Sequence, residues 1–200
     1  MRTAGVILCG GQSSRMGRSK AWLPVGDETM LARIVRLISE VVSPLVVVAA
    51  PEQELPPLTS EIILVRDPER SRGPLVGIAA GLAALVGKAD AAFVSSCDVP
   101  LLRPAFVRRM IELLGDHVAC VPEVGGYRHP LAAVYRVEVA VIADELLAAD
   151  RLRPAFLFER VSTRVVKAED FADIDPEGES LRNLNTPEEY ELALALLGSG

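Results

Sequence analysis

Aromatic residues are scarce in this 200-residue chain, at 4% against 50% apolar residues overall. The core is therefore expected to be aliphatic, built from Val, Leu, Ile and Ala. No apolar run approaches the ~20 residues that a membrane span requires. One Arg and only about eight residues precede the first glycine pair, which is expected to be too short for a signal peptide. There are three cysteines (Cys9, Cys97 and Cys120) and no C-x-x-C spacing. Each sits within or beside an apolar run, where a free thiol behaves as an inert small hydrophobe in a reducing compartment. A cytoplasmic protein without a membrane partner is expected. Net positive charge is missing too: the formal charge of −6 excludes a general nucleic-acid binder, which needs a basic face.

The two standard phosphate motifs are also absent. A P-loop needs Gly, four residues, then Gly-Lys-Ser/Thr, whereas here Gly11 is followed by Gly17, with Lys20 further on. The G-x-G-x-x-G dinucleotide fingerprint does not occur at glycines 10, 11 and 17. A different loop is present. The apolar run Val6-Ile7-Leu8-Cys9 ends in Gly10-Gly11, then Gln12-Ser13-Ser14 and the cations Arg15, Arg18 and Lys20. Bare backbone N–H groups, hydroxyls and cations at a strand's carboxyl end suit a polyphosphate.

Length suits one domain able to bury roughly 70% of its unfolded surface. Hydrophobic patterning predicts strands at 4–9, 44–50, 62–66, 91–96, 118–122, 131–135 and 163–167. Helices are predicted at 28–42, 76–87, 104–115, 137–149, 152–160 and 187–197. Thr186-Pro187-Glu188-Glu189 reads as a capping box opening the last helix. Alternating strands and helices through the first half predict an α/β fold with a mostly parallel sheet covered by helices. Two short strands around Gly125-Gly126 make the second half less regular.

Three loops follow predicted strands and should converge on one edge of the sheet. They are the glycine–cation loop, the segment from Arg66-Asp67 to Gly73-Pro74-Leu75, and Ser95-Ser96-Cys97-Asp98-Val99-Pro100. An acid such as Asp98 beside a polyphosphate loop suits Mg²⁺, which takes one or two carboxylates plus phosphate oxygens and water. The residues alone leave alternatives open. Asp98 and Asp67 also read as turn acids ahead of prolines, and the arginines of the second loop as a solvated, locally paired set. His129, before Pro130, reads either as a substrate contact or as a structural residue.

Across the chain these motifs form a recognisable set. Leu8-Cys9-Gly10-Gly11 with Arg15-Met16-Gly17 and Lys20 resembles the signature of nucleotidyltransferases that use free NTPs. Gly73-Pro74-Leu75-Val76-Gly77-Ile78, Cys97-Asp98-Val99-Pro100, His129-Pro130 and Asn183-Leu184-Asn185-Thr186-Pro187-Glu188-Glu189 extend the likeness over nearly the whole chain. Together they resemble the molybdenum cofactor guanylyltransferases, which join GMP to molybdopterin.

The resemblance implies a single-domain, Rossmann-like three-layer α/β fold with helices on both faces of the sheet. Residues 1–100 would bind the nucleotide and 101–200 the acceptor. Leu8, Cys9, Gly10, Gly11, Lys20, Asp67 and Asp98 would contact the nucleotide, and Arg15 its phosphates. Asp98 would hold Mg²⁺, with Arg15, Lys20 and Asp98 forming the catalytic set. Asn183, Asn185 and His129 would face the acceptor. The implied substrates are GTP and molybdopterin, and the implied partners molybdoenzymes or cofactor-insertion proteins.

One departure bears on the base. The family's guanylyltransferases tend to carry an Asn at the end of the second strand, whereas this strand ends Val46-Val47-Val48-Ala49-Ala50. A cytidylyltransferase for molybdopterin, or a transferase for another phosphorylated acceptor, is therefore the alternative. A non-catalytic nucleotide-binding module is the reading from a different class.

Overall fold

The computed structural model describes residues 1–10, 19–58, 61–67 and 72–198. The chain enters a buried strand at once, β1 (Thr3–Leu8), and the next long strands are β4 (Leu45–Ala49), β5 (Ile62–Arg66) and β6 (Ala91–Ser96). A small hairpin of β2 (Pro24–Val25) and β3 (Glu28–Thr29) precedes β4. The second half contributes β7 (Ala119–Val124), β8 (Tyr127–Arg128), β9 (Ala132–Arg136) and β10 (Thr163–Lys167).

The main sheet runs β10-β7-β9-β6-β1-β4-β5, with β8 paired to β7. Its pairings are parallel except where β9 runs against β6 and β7, and β8 against β7. Parallel strands covered on both faces must be apolar on both, so they read as unbroken hydrophobic runs. Successive residues then serve opposite cores. Val46 and Val48 enter one, Val47 the other; Val6 and Leu8 separate from Ile7 in the same way.

Helices α1 (Met30–Ser39) and α3 (Pro104–Leu114) cover one face. Helices α2 (Pro74–Ala83), α4 (Val139–Ala148) and α5 (Ala155–Arg160) cover the other. A third cluster seats α6 (Pro187–Gly198) against the β2–β3 hairpin through Leu23, Val25, Met30, Leu184 and Ala193. Three rings meet in the core, with Phe106 edge-on to Phe93 at 6.5 Å and to Phe171 at 5.2 Å between centroids.

Several predicted boundaries shift for local reasons. The helix predicted from residue 28 starts at Met30, because Glu28-Thr29 pairs as a strand and Thr29 Oγ1 accepts the Ala32 N–H at 3.3 Å. The helix predicted from 76 starts at Pro74, entered through Gly73 with φ 94°. Along α2, a Cβ on Gly81 would stand 2.3 Å from Val6 Cγ1, so the bare residue lets the helix lie tight on β1. No helix among the described residues is long and apolar enough to cross a membrane.

Candidate active site

Helix α1 carries the chain from β1 to β4 over one face, and α2 leads from β5 into β6 over the other. The strand order therefore reverses between β1 and β6, and the crevice outside their carboxyl ends is where such sheets bind ligands. Leu8, Cys9 and Gly10 stand at one lip and Ser96, Cys97 and Asp98 at the other. The lips are tied together by the Cys97 N–H, which donates to Leu8 O at 3.0 Å, and the first lip is tied to β4 by the Cys9 N–H, which donates to Val48 O at 2.8 Å.

Lys20 opens a 3-10 turn (Lys20–Trp22), and its Nζ donates to Asp98 Oδ2 at 2.7 Å and to Asn185 Oδ1 at 3.4 Å. Asn183 Nδ2 donates to Asp98 Oδ1 and to Ser96 Oγ, both at 2.8 Å. The Lys20 and Asp98 side chains keep only 19% and 12% of their exposure, so their attraction is poorly screened. One cation, one carboxylate and two amides thus meet at the carboxyl end of β6.

Asn183 and Asn185 arrive there from the far end of the chain through a built turn. The buried Asp175 carboxylate accepts the N–H groups of Glu179 at 2.9 Å and Ser180 at 2.8 Å. The Leu184 N–H then donates to Asp98 O at 3.0 Å. The capping box forms as its residues suggest: Glu189 Oε2 accepts the N–H groups of Asn185 at 2.5 Å and Thr186 at 3.1 Å, and the Glu189 N–H donates to Thr186 Oγ1 at 3.2 Å.

Gly10 is exposed and has no positive φ, and a Cβ there would meet only Ala50 N at 3.6 Å. Neither backbone conformation nor packing within the described residues requires glycine at this position, which suits an outside group lying against bare main chain. Asp67 follows β5 at the carboxyl ends of the sheet, its N–H donating to Ala49 O at 2.8 Å, with β4 and β1 between it and β6. The Arg66 guanidinium donates to Ala50 O at 3.0 Å and to Gln53 O at 2.7 Å.

His129 lies in the connection between β8 and β9, half-buried, with its N–H donating to Pro122 O at 2.9 Å. Burial holds its imidazole below the usual range. Cys97 is pushed well up by its contact with the Cys9 thiol and by burial, and Cys120 by burial to about 12. Such thiols are inert at neutral pH. Gly11 and Arg15 lie outside the described residues.

Sequence reasoning missed Gln53 and Asp175, and named Ser96 only as part of the third loop, with no role of its own. Asp175-Pro176 with Gly178 carries a readable turn signal. Gln53 is hidden within a polar loop.

A family model described as a MobA-like NTP transferase domain matches residues 5–163. The chain belongs to that family. This MobA-like transferase is therefore a nucleotidyltransferase. It is 37% identical over 191 residues to a probable molybdenum cofactor guanylyltransferase of Mycolicibacterium paratuberculosis, covering 93% of this chain and 92% of the relative. The molybdenum cofactor guanylyltransferase of Desulfosudis oleivorans is 32% identical, with 98% and 96% covered. The fold is similar to that of the molybdopterin-guanine dinucleotide biosynthesis protein A of Archaeoglobus fulgidus, with a TM-score of 0.80, 20% identity and full coverage of both chains.

Proposed function

We propose that this MobA-like transferase moves GMP from GTP onto the terminal phosphate of molybdopterin, releasing pyrophosphate. The observation that carries the proposal is the Lys20–Asp98–Asn183 cluster at the strand-order reversal, beside the exposed main chain of Gly10. Residues 1–100 supply the nucleotide side and 101–200 the acceptor side. Leu8, Cys9, Gly10, Gly11 and Asp67 line the nucleotide, Arg15 and Lys20 meet its phosphates, and Asn183, Asn185 and His129 face the acceptor.

A phosphate oxygen of the acceptor attacks the α-phosphorus while the bond to the β-phosphate oxygen breaks. The nucleophile is already ionised at neutral pH, so the protein's task is positioning and charge neutralisation. Lys20 supplies a cation held at a fixed place, and Asn183 keeps the Asp98 carboxylate in one orientation.

The donor set fits Mg²⁺. Asp98 offers hard carboxylate oxygens, and among the described residues no group of three or more His, Cys, Asp or Glu is placed to hold a metal. A single carboxylate completed by phosphate oxygens and water is the arrangement that Mg²⁺ accepts. When bound by Asp98, the ion would neutralise charge on the triphosphate.

The test is to incubate the protein with molybdopterin, Mg²⁺ and each NTP in turn, then identify the dinucleotide. The guanine dinucleotide with stoichiometric pyrophosphate is expected. A cytosine dinucleotide would move the reading to a cytidylyltransferase, which the amide-free end of the strand at Ala49-Ala50 keeps in view. Nucleotide binding without pyrophosphate release would make the protein a binding module.

A further inference from the structure

Beyond the carboxyl ends of the adjacent strands β1 and β4, the Gln53 side chain bridges the two segments. Its Nε2 donates to Cys9 O at 3.0 Å and to Ser19 Oγ at 3.3 Å, with Cys9 Sγ at 3.6 Å. Its Oε1 accepts the Ala50 N–H at 3.1 Å. A carbonyl can only accept and an N–H can only donate, so the amide has one orientation; flipped, it would set like against like on both sides.

The loop carrying Gln53 is fastened as well. The Gln53 N–H donates to Ala50 O at 3.2 Å, and the Arg66 guanidinium donates to Ala50 O and Gln53 O from the opposite side. Gly10 stands beside the same strand end, since a Cβ there would lie 3.6 Å from Ala50 N, the atom whose N–H the Gln53 amide accepts. A planar group resting on the bare Gly10 main chain would therefore meet the edge of the Gln53 amide.

The donor and acceptor count decides what that edge can read. Both protons of Nε2 are taken, by Cys9 O and Ser19 Oγ. Oε1 has two lone pairs and, among the described residues, accepts one bond. The amide thus has one acceptor position left and no spare donor. The pairing edge of guanine carries adjacent donors, N1–H and the N2 amino group. The same edge of cytosine carries acceptors at N3 and O2 with a single amino group.

We propose that Gln53 is a base-specificity residue of this enzyme, accepting from the N1–H and N2-amino edge of a guanine nucleotide. The proposal rests on the guanylyl-transfer reading above. It also accounts for a strand that ends in two alanines: the amide is supplied three residues beyond Ala50 and folded back to the strand end.

Equilibrium binding of GTP, CTP, ITP and N1-methyl-GTP to the wild-type protein, and of GTP and CTP to Gln53→Met, tests it. ITP lacks the N2 amino group and N1-methyl-GTP lacks the N1 proton. In the wild type at least one of these analogues should bind about tenfold more weakly than GTP, the range of one neutral hydrogen bond together with the unpaired acceptor it leaves. In Gln53→Met, GTP should weaken by about tenfold while CTP stays close to its wild-type value.

If both analogues bind the wild type as well as GTP does, the proposal is overturned whatever the variant does. It is likewise overturned if Gln53→Met keeps full GTP-over-CTP preference, or if both nucleotides weaken together as for a loop support. A wild-type preference for CTP would instead overturn the guanine reading itself, and this proposal with it.

Discussion

Replacing Asp98 by Asn, or Lys20 by Met, removes one charge from a pair held at 2.7 Å with side chains only 12% and 19% exposed. At that separation and an effective dielectric of ~20, the attraction lost is about 6 kcal/mol. Partial rehydration of the surviving charge offsets part of this. A net stability loss of roughly 3 kcal/mol is expected for each single variant, the low end for a buried pair broken on one side. In a chain of this size that lowers Tm by roughly 6–12 °C. Turnover should fall further than stability alone explains, by about 10²–10³-fold, the loss typical of a missing charge contact in the transition state.

The double variant separates the two effects. With both charges gone no ion is left stranded, so its stability should recover to within ~1 kcal/mol of the wild type. Its activity should stay at the level of the worse single variant, because the phosphates need the charges themselves. The assays are denaturant unfolding and pyrophosphate release with GTP and acceptor. Folded single variants that turn over within threefold of the wild type would falsify the site assignment. Additive stability losses in the double variant would refute the coupling.

Three further outcomes are expected. Gly81→Ala would place a methyl group 2.3 Å from Val6 Cγ1 and 3.3 Å from Val48 Cγ2; overpacking of roughly 1–3 kcal/mol should outweigh the ~1 kcal/mol gain in helix propensity, and urea unfolding should show a lower midpoint. Burial lowers the folded-state value of His129 below its ordinary 6.5, so the unfolded chain binds more protons there, and stability should decline as pH falls below 6.5 until the folded-state value is passed. Thermal unfolding of His129→Gln between pH 5 and 7 should show a flatter profile than the wild type. With Cys9, Cys97 and Cys120 all buried, and Cys120 held up to about 12, alkylation at pH 8 should proceed at the rate of unfolding; fast modification of the native protein would contradict this packing.

The long strands were readable because a strand covered on both faces has no polar side to interrupt it. Val46-Val47-Val48 and Ala91-Ala92-Phe93-Val94 announce themselves for that reason. Asp98 was legible as an acid breaking such a run, and Lys20 by its spacing from the glycines. The Lys20–Asp98 contact joins positions 78 apart, and the Asn183–Asp98 contact positions 85 apart; motif likeness grouped these residues before any distance was known. Gln53 carries no such mark. Its partners Cys9 and Ser19 lie 44 and 34 positions away, and a polar loop residue resembles many others. The reversed direction of β9 was equally hidden, since antiparallel pairing inside a two-faced core leaves the same apolar pattern as parallel pairing. The β2–β3 hairpin was concealed because Glu28-Thr29 continues smoothly into a helical period.

The bond from the Leu184 N–H to the carbonyl of Asp98 joins the end of β6 to a segment made after the last described strand of the sheet. Every described strand of the sheet has been made by residue 167, so all of them are synthesised before Asn183 and Asn185. At that stage Asp98 and Lys20 have each other but neither amide. A chain cut short between residues 172 and 182 keeps every described strand and the core ring of Phe171 but lacks both amides, and it should be inactive.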